Sequence, residues 1–263
     1  TIRRDGSSVF GANNRWGTFP SVSAAWNIAE ESFLKGSIFD QLKLRLGYGV
    51  SGNALGFGAY SAYTLFGLDS ASSFTYNGIT YSKINATQNG NPDLKWETTK
   101  MFNVGVDFAF LNSRLSGSIE FYSKKTSDLI WGYDVSTNIY PVGTMQANVG
   151  DITNTGIEVT INAVPVKTKD FTWQTTLNLA HNKNKVNKLS NTKYSVEYKD
   201  WGDPNIAGIS SNGEVQRIME GESLGTFWTY EWAGYNEQGQ STFWVHDPET
   251  GERTGEKTTE PTK

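Results

Sequence analysis

KMFNVGVDFAFLNSRLSGSIEFY, residues 100–122, contains two runs of alternating apolar and polar residues with four residues between them. The apolar set of the first run is Phe102, Val104, Val106, Phe108 and Phe110, and that of the second is Leu115, Ile119 and Phe121. Successive side chains of a strand point to opposite faces, so the runs predict two strands that each have one apolar face. The tetrapeptide LNSR is short enough to join them as a hairpin.

The same alternation recurs on both sides of this hairpin. It is found in TFPSVSAAWNI (18–28), LKLRLGYGV (42–50), TGIEVTINA (155–163) and FTWQTTLNLAHN (171–182). Every charge inside these strands falls on the polar set; these residues are Lys43, Arg45, Asp107, Glu120 and Glu158. One face of each predicted strand is therefore free of charge.

A glycine pattern at the end of one strand raises the question of a nucleotide site. Gly47, Gly49 and Gly52 have the spacing of a dinucleotide-binding fingerprint. That fingerprint needs a buried parallel strand before it and a helix after it. Here two cations interrupt the strand, and the following residues have no helical period. We interpret the glycines instead as allowing a close backbone approach and a sharp exit into a long loop.

Composition excludes several classes of function. The net charge of −4 in 263 residues argues against a general nucleic-acid surface. There is no cysteine, and the two histidines are too few and too isolated for a metal site. Acidic residues near aromatics, as in KWETTK, show no convergent pair of the kind that a hydrolase needs. We expect no enzyme activity, no catalytic residue, no cofactor and no metal.

The connections between strands alternate between short and long. Short links such as LNSR and VPVKTKD alternate with residues 51–97, 123–148 and everything after about residue 181. The aromatics near the short links are Trp26, Phe108, Phe110, Phe171 and Trp173. Tight turns at one end, long loops at the other and an aromatic girdle are typical of outer-membrane barrels. We predict an all-β, antiparallel transmembrane β-barrel segment, a partial barrel with long extracellular loops. A soluble or surface-anchored β-sandwich that binds glycans is the alternative.

Several ordered blocks of sequence resemble one known family. They are NNRWGTFPSVSAAWNIAEESF, LKLRLGYGVSGN, NPDLKWETTKMFNVGVDFAFLNSRLSGSIEFYSKKTSDLI, NVGDITNTGIEVTI and FTWQTTLNLAHNKNKV, with a weaker echo in IMEGESLGTFWTYEWAGYN. Together they resemble the SusC/RagA-type TonB-dependent transporters of the Bacteroidetes outer membrane.

This resemblance implies a location, a function and partners. The chain is expected to be a later part of an outer-membrane barrel, incomplete at both ends, that imports an oligosaccharide or peptide. Residues 1–190 would be barrel strands and loops, and residues 191–263 mainly an extracellular loop and hairpin region. The implied partners are a SusD-like lipoprotein lid, TonB acting through a plug region absent from this chain, and outer-membrane lipid.

Two further features concern ligands. The aromatics of the long loops are candidates for stacking on sugar rings or peptide side chains; they are Tyr60, Tyr63, Trp131, Tyr133, Trp201, Trp228 and Trp232. HNKNKVNK, residues 181–188, is a basic run best explained as a solvated strand end. A contact of this run with the phosphate groups of lipopolysaccharide is the alternative.

The segment DPETGERTGEK is expected to form a loop hairpin.

Overall fold

The computed structural model describes residues 1–56, 58–201, 215–247 and 251–261. The chain divides into two compact units, Thr1–Glu197 and Tyr198–Lys263. The strands of the first unit are β1 (Ile2–Gly6), β2 (Trp16–Asn27), β3 (Phe39–Asn53), β4 (Leu65–Tyr76), β5 (Ile79–Gln88), β6 (Glu97–Phe110), β7 (Leu115–Asp134), β8 (Thr144–Lys167) and β9 (Thr172–Lys188). Its one described helix is a 3-10 turn at Ile28–Glu30. In the described part of the chain, no helix is long and apolar enough to cross a membrane.

Seven strands of the first unit form one open antiparallel sheet in the order β1-β2-β3-β6-β7-β8-β9. Strands that follow one another in this sheet also follow one another in the chain, except that the β4–β5 hairpin lies between β3 and β6. The predicted strands and the LNSR hairpin are confirmed. Leu111, Asn112 and Ser113 all have positive φ, which lets four residues reverse the chain.

The long connections contain strands that the sequence analysis did not predict. Within residues 51–97, the hairpin of β4 and β5 turns at Asn77 and Gly78, both with positive φ. Within residues 123–148, β7 continues to Asp134 and β8 begins at Thr144. In the extension of β8, Met145, Ala147 and Val149 alternate with polar residues and are buried, so one face is apolar there as well, but it is covered by protein and not by lipid.

The buried core of the first unit lies at the end of the sheet that carries the long connections. Phe10 and Leu94 are fully buried and pack with Ile130, against which the Trp96 ring also lies. A second cluster consists of Tyr133, Ala147 and Val149, with Trp131, Tyr194 and Val196 packed against it. Burial raises the pKa of Tyr194, so this phenol stays protonated and donates to Met145 Sδ at 3.3 Å.

The second unit consists of small sheets. One joins β10 (Tyr198–Trp201), β11 (Gln216–Met219) and β12 (Thr226–Phe227), and another joins β13 (Trp232–Tyr235), β14 (Ser241–His246) and β15 (Arg253–Thr258). The predicted hairpin in DPETGERTGEK corresponds to the β14–β15 pair, although residues 248–250 lie outside the described residues.

Candidate functional site

One face of the seven-stranded sheet carries continuous apolar rows. Cross-strand pairing aligns one residue from each of six strands in such a row: Trp26, Leu44, Val106, Ile119, Val159 and Leu179. The row remains exposed, since Trp26 keeps 48% of its surface, Ile119 44% and Leu179 56%. Contiguous apolar surface of this extent is not left open to water by soluble proteins. We call this surface the outward face.

The apolar part of the outward face has the height of a membrane-spanning band. It runs from Leu42 to Val50 on β3, from Phe102 to Phe110 on β6, and from Phe171 to Leu179 through β9. Each run is nine residues long, and a spanning strand needs about 9–11.

The outer limit of this band crosses the sheet diagonally. The row of cross-strand partners that begins at Val50 on β3 reaches Lys185 on β9. The apolar run of β9 ends at Leu179, six residues before Lys185. Six residues correspond to about 20 Å along a strand, and four strand spacings correspond to about 19 Å. The strands therefore tilt by about 45° from the normal of the band, close to the tilt typical of outer-membrane barrels.

Aromatics lie at the end of the outward face where the links are short. The Phe110 ring lies 4.8 Å from that of Phe39 and 5.5 Å from that of Phe108. Trp26 donates from Nε1 to Glu31 Oε1 at 2.9 Å, and Phe171 and Trp173 are exposed. A ring surface in an apolar layer with its polar atom at the edge is the arrangement of an interfacial girdle.

The opposite face, which we call the inward face, carries the charged residues. Arg45 donates from Nε to Asp107 Oδ2 at 2.9 Å and from Nη2 to Asp107 Oδ1 at 3.0 Å. The same Nη2 lies 3.3 Å from Glu120 Oε2. The side chains keep between a quarter and a third of their surface exposed, as expected for a wet, polar interior wall.

The glycine pattern of β3 serves close packing. A Cβ on Gly47 would lie 2.2 Å from Asn103 Oδ1, and one on Gly52 would lie 2.1 Å from Phe19 Cζ. The predicted close approach is confirmed. The predicted sharp exit of the chain from the strand at these glycines is wrong, because none of the three has a positive φ and β3 continues to Asn53.

A group of asparagine side chains, which the sequence analysis missed, fixes the loop end. Asn148 donates from Nδ2 to Lys95 O at 2.8 Å and to Asp128 O at 2.7 Å, and its Oδ1 accepts from Lys95 N at 2.9 Å. Asn91 donates to Gln146 O at 2.8 Å, and Asn89 donates to Val142 O and Thr144 O. We call this group the amide lock. It holds residues 89–95 against the start of β8.

Glu97, which begins β6, also has a structural role. It is 8% exposed, accepts from Ile130 N at 2.9 Å through Oε1, and accepts from Asn53 Nδ2 at 2.7 Å through Oε2. Its carboxylate is therefore occupied by protein donors. The described residues include no group of three or more His, Asp or Glu side chains arranged to hold a metal.

The predicted ligand-contact residues of the first unit fall into two pairs. Tyr60 and Tyr63 are exposed by 61% and 46%, and both of their carbonyls accept from Gln88 Nε2. Trp131 is half-buried on the second core cluster, and Tyr133 is 2% exposed and donates to Leu189 O at 2.9 Å. Only the first pair presents open ring surface.

The predicted residues of the second unit also differ in environment. Trp228 lies beneath Arg217, whose Cζ is 4.4 Å from the ring centroid, and Arg217 itself pairs with Asp200. Trp232 is 57% exposed, with its ring edge-on to that of Tyr235. The side chain of Trp201 lies outside the described residues.

Comparison with protein families gives one match that covers most of the chain. The model described as TonB dependent receptor-like, beta-barrel, matches residues 1–250. The TonB-dependent receptor SusC of Bacteroides thetaiotaomicron is 38% identical over 246 residues, which are 91% of this chain and 24% of SusC. The TonB-dependent receptor P39 of Formosa agariphila is 34% identical over 248 residues, 94% of this chain and 22% of that protein. The chain thus spans about a quarter of the length of these relatives.

Solved structures show the same fold. The RagAB peptide importer in its closed-closed state matches with a TM-score of 0.77 at 24% identity, covering 99% of this chain and 27% of the other. The open-open state matches with a TM-score of 0.78 at 25% identity, covering 97% and 26%. These matches, together with the exposed outward face, do not favour the β-sandwich alternative.

Proposed function

We propose, since this chain belongs to the family of TonB-dependent receptor-like β-barrels, that it forms barrel wall and ligand-binding loops of an outer-membrane nutrient importer. The observation that carries the proposal is the exposed apolar band, nine residues high and inclined by about 45° to the strands. The family is one of transporters and receptors and not of enzymes.

The two faces of the sheet contact different media. The outward face contacts lipid hydrocarbon, and transfer of its uncharged side chains into hydrocarbon carries no free-energy penalty. The inward face, with Arg45, Asp107 and Glu120, contacts water, the plug and passing cargo. Because this arginine is bound by two carboxylates, it is not an isolated charge, and the three side chains together carry a net charge of about −1.

The ligand is an oligosaccharide or a peptide. In the first unit we propose Tyr60 and Tyr63 as contacts, and in the second unit, considered by itself, Trp232, because each exposes a flat ring with a polar edge. Trp131, Tyr133 and Trp228 support the surrounding loops by packing. A SusD-like lipoprotein would cover the ligand, and TonB would act through a plug carried by the whole protein. The names of SusC and of the RagAB peptide importer support this assignment.

The test uses the full-length protein in its native host. We expect it to fractionate with the outer membrane and to migrate faster on detergent gels before heating than after heating. Deleting its gene should abolish growth on one class of oligosaccharide or peptide, and restoring the gene should recover it. A soluble periplasmic product, or growth unchanged on every such nutrient, contradicts the proposal.

A further inference from the structure

Four lysines lie on the outward face beyond the apolar runs of their strands, on β6, β7 and β9. They are Lys100, Lys125, Lys183 and Lys185, and all four are exposed. Lys100 and Lys125 are cross-strand partners, and Lys125 and Lys185 flank the same residue, Thr153. We call this group the lysine band. It joins residues that are up to 85 positions apart in the sequence, of which only two belong to the basic run of β9.

The charge of the lysine band is poorly balanced by the protein. Within the described rows of β6 to β9 at this level, the one acid on the outward face is Asp151, with Oδ2 at 3.8 Å from Lys125 Nζ. Asp151 also accepts from Asp128 N through Oδ1. Like charges directly opposite one another across a strand pair destabilise a sheet. The facing pair of Lys100 and Lys125 therefore favours an anion from outside the chain.

Lys100 lies at the level of lipid headgroups, and the two lysines of β9 lie further from the middle of the apolar band. Val106 is the middle residue of the apolar run on β6, and Lys100 lies six residues further along the same strand. Six residues at about 3.3 Å each, with a tilt of about 45°, put its Cα about 14 Å above the middle of the band. The apolar band of such barrels is about 25 Å tall, so the Lys100 ammonium group reaches the headgroups while its stem lies along hydrocarbon. Lys183 and Lys185 lie four and six residues beyond Leu179, which puts them about 9 and 14 Å above the end of the apolar run of β9, at the level of the sugars and phosphates of a large headgroup.

We propose that the lysine band binds the phosphate groups of an outer-leaflet glycolipid of the lipopolysaccharide type. The proposal rests on the proposed function, which places the loop end of the sheet at the outer leaflet. A multiply phosphorylated headgroup bridges Lys100 and Lys125 with Lys183 and Lys185, and Ser123 and Thr155 add hydroxyls in the adjacent row. Ammonium groups suit this ligand because they act as movable point charges.

The experiment compares two variants of the full-length protein, purified from outer membranes in mild detergent. In the first, all four lysines of the band are replaced by glutamine. In the control, two lysines of the same sheet that fall on the opposite parity are replaced: Lys43 and Lys124. Heat-modifiable mobility reports that each barrel is folded, and native mass spectrometry counts the glycolipid bound to it.

We expect the band variant to retain less glycolipid, by about fivefold for each lysine removed, and the control to retain as much as the wild type. Nanodiscs that contain dephosphorylated lipid A should reproduce the loss in the wild type. Equal retention by the band variant and the wild type would overturn the proposal. The proposal would also be overturned if the wild type bound free inorganic phosphate but held the glycolipid no more strongly than the band variant does. If nutrient uptake failed but the wild type still retained the glycolipid through these lysines, the importer function would be refuted and the glycolipid site would be supported.

Discussion

At the residue scale, the deciding quantity for ligand contact is the open surface of each aromatic ring. Tyr60 and Tyr63 keep much of their surface, whereas Tyr133 is enclosed by its cluster. We predict that Tyr60→Ala with Tyr63→Ala weakens ligand binding by about 0.5–1.5 kcal/mol per ring, because stacking contributes that much beyond area. Uptake of labelled oligosaccharides and of labelled peptides by the full-length protein provides the measurement. Phe171→Ala, on an exposed ring at the short-link end of the sheet, is the control, and an equal effect of this control would contradict the assignment.

At the element scale, the amide lock decides whether a long connection is ordered. Asn148 makes three hydrogen bonds that join β8 to Lys95 and Asp128. Removing them leaves backbone groups of Lys95 and Asp128 without these partners, and each lost hydrogen bond costs about 0.5–1.5 kcal/mol. We predict that Asn148→Ala speeds hydrogen exchange in residues 89–97 by about tenfold or more, since local opening becomes easier. The comparison is Asn138→Ala, on an exposed asparagine of the β7–β8 turn. Unchanged exchange in the Asn148 variant would show that the lock is dispensable.

At the scale of the whole molecule, the medium on each side of the sheet decides the effect of a charge. Val159 lies on the outward face within the apolar band, and its neighbour Thr160 lies on the inward face. We predict that Val159→Arg destabilises the full-length barrel by about 2–4 kcal/mol, whereas Thr160→Arg has a much smaller effect. Reversible unfolding in lipid vesicles measures both. Similar losses for the two variants would mean that hydrocarbon does not cover the outward face.

The sequence predicted those strands whose two faces meet different media. β2, β3, β6, β7, β8 and β9 all contain a predicted run, because lipid on one side and water on the other impose a strict period of two. It failed in the extensions of β7 to Asp134 and of β8 from Thr144, where residues such as Tyr133 and Ala147 are buried by loop residues distant in the chain and not by lipid. The β4–β5 hairpin was missed although Asn77-Gly78 is a strong turn signal, because the glycine-rich context was interpreted as loop.

The amide lock and the lysine band show what the sequence could not predict. Asn148 lies 53 residues from Lys95, and Lys185 lies 60 residues from Lys125, so no local pattern connects them. The sequence by itself determined which residues alternate, how tall the apolar run of each strand is, and that its charges avoid one face, because these depend only on the strand period. The tertiary structure alone decided the register of neighbouring strands, and with it the tilt of the sheet and which distant side chains meet, because cross-strand hydrogen bonds, and not chain neighbours, set those distances.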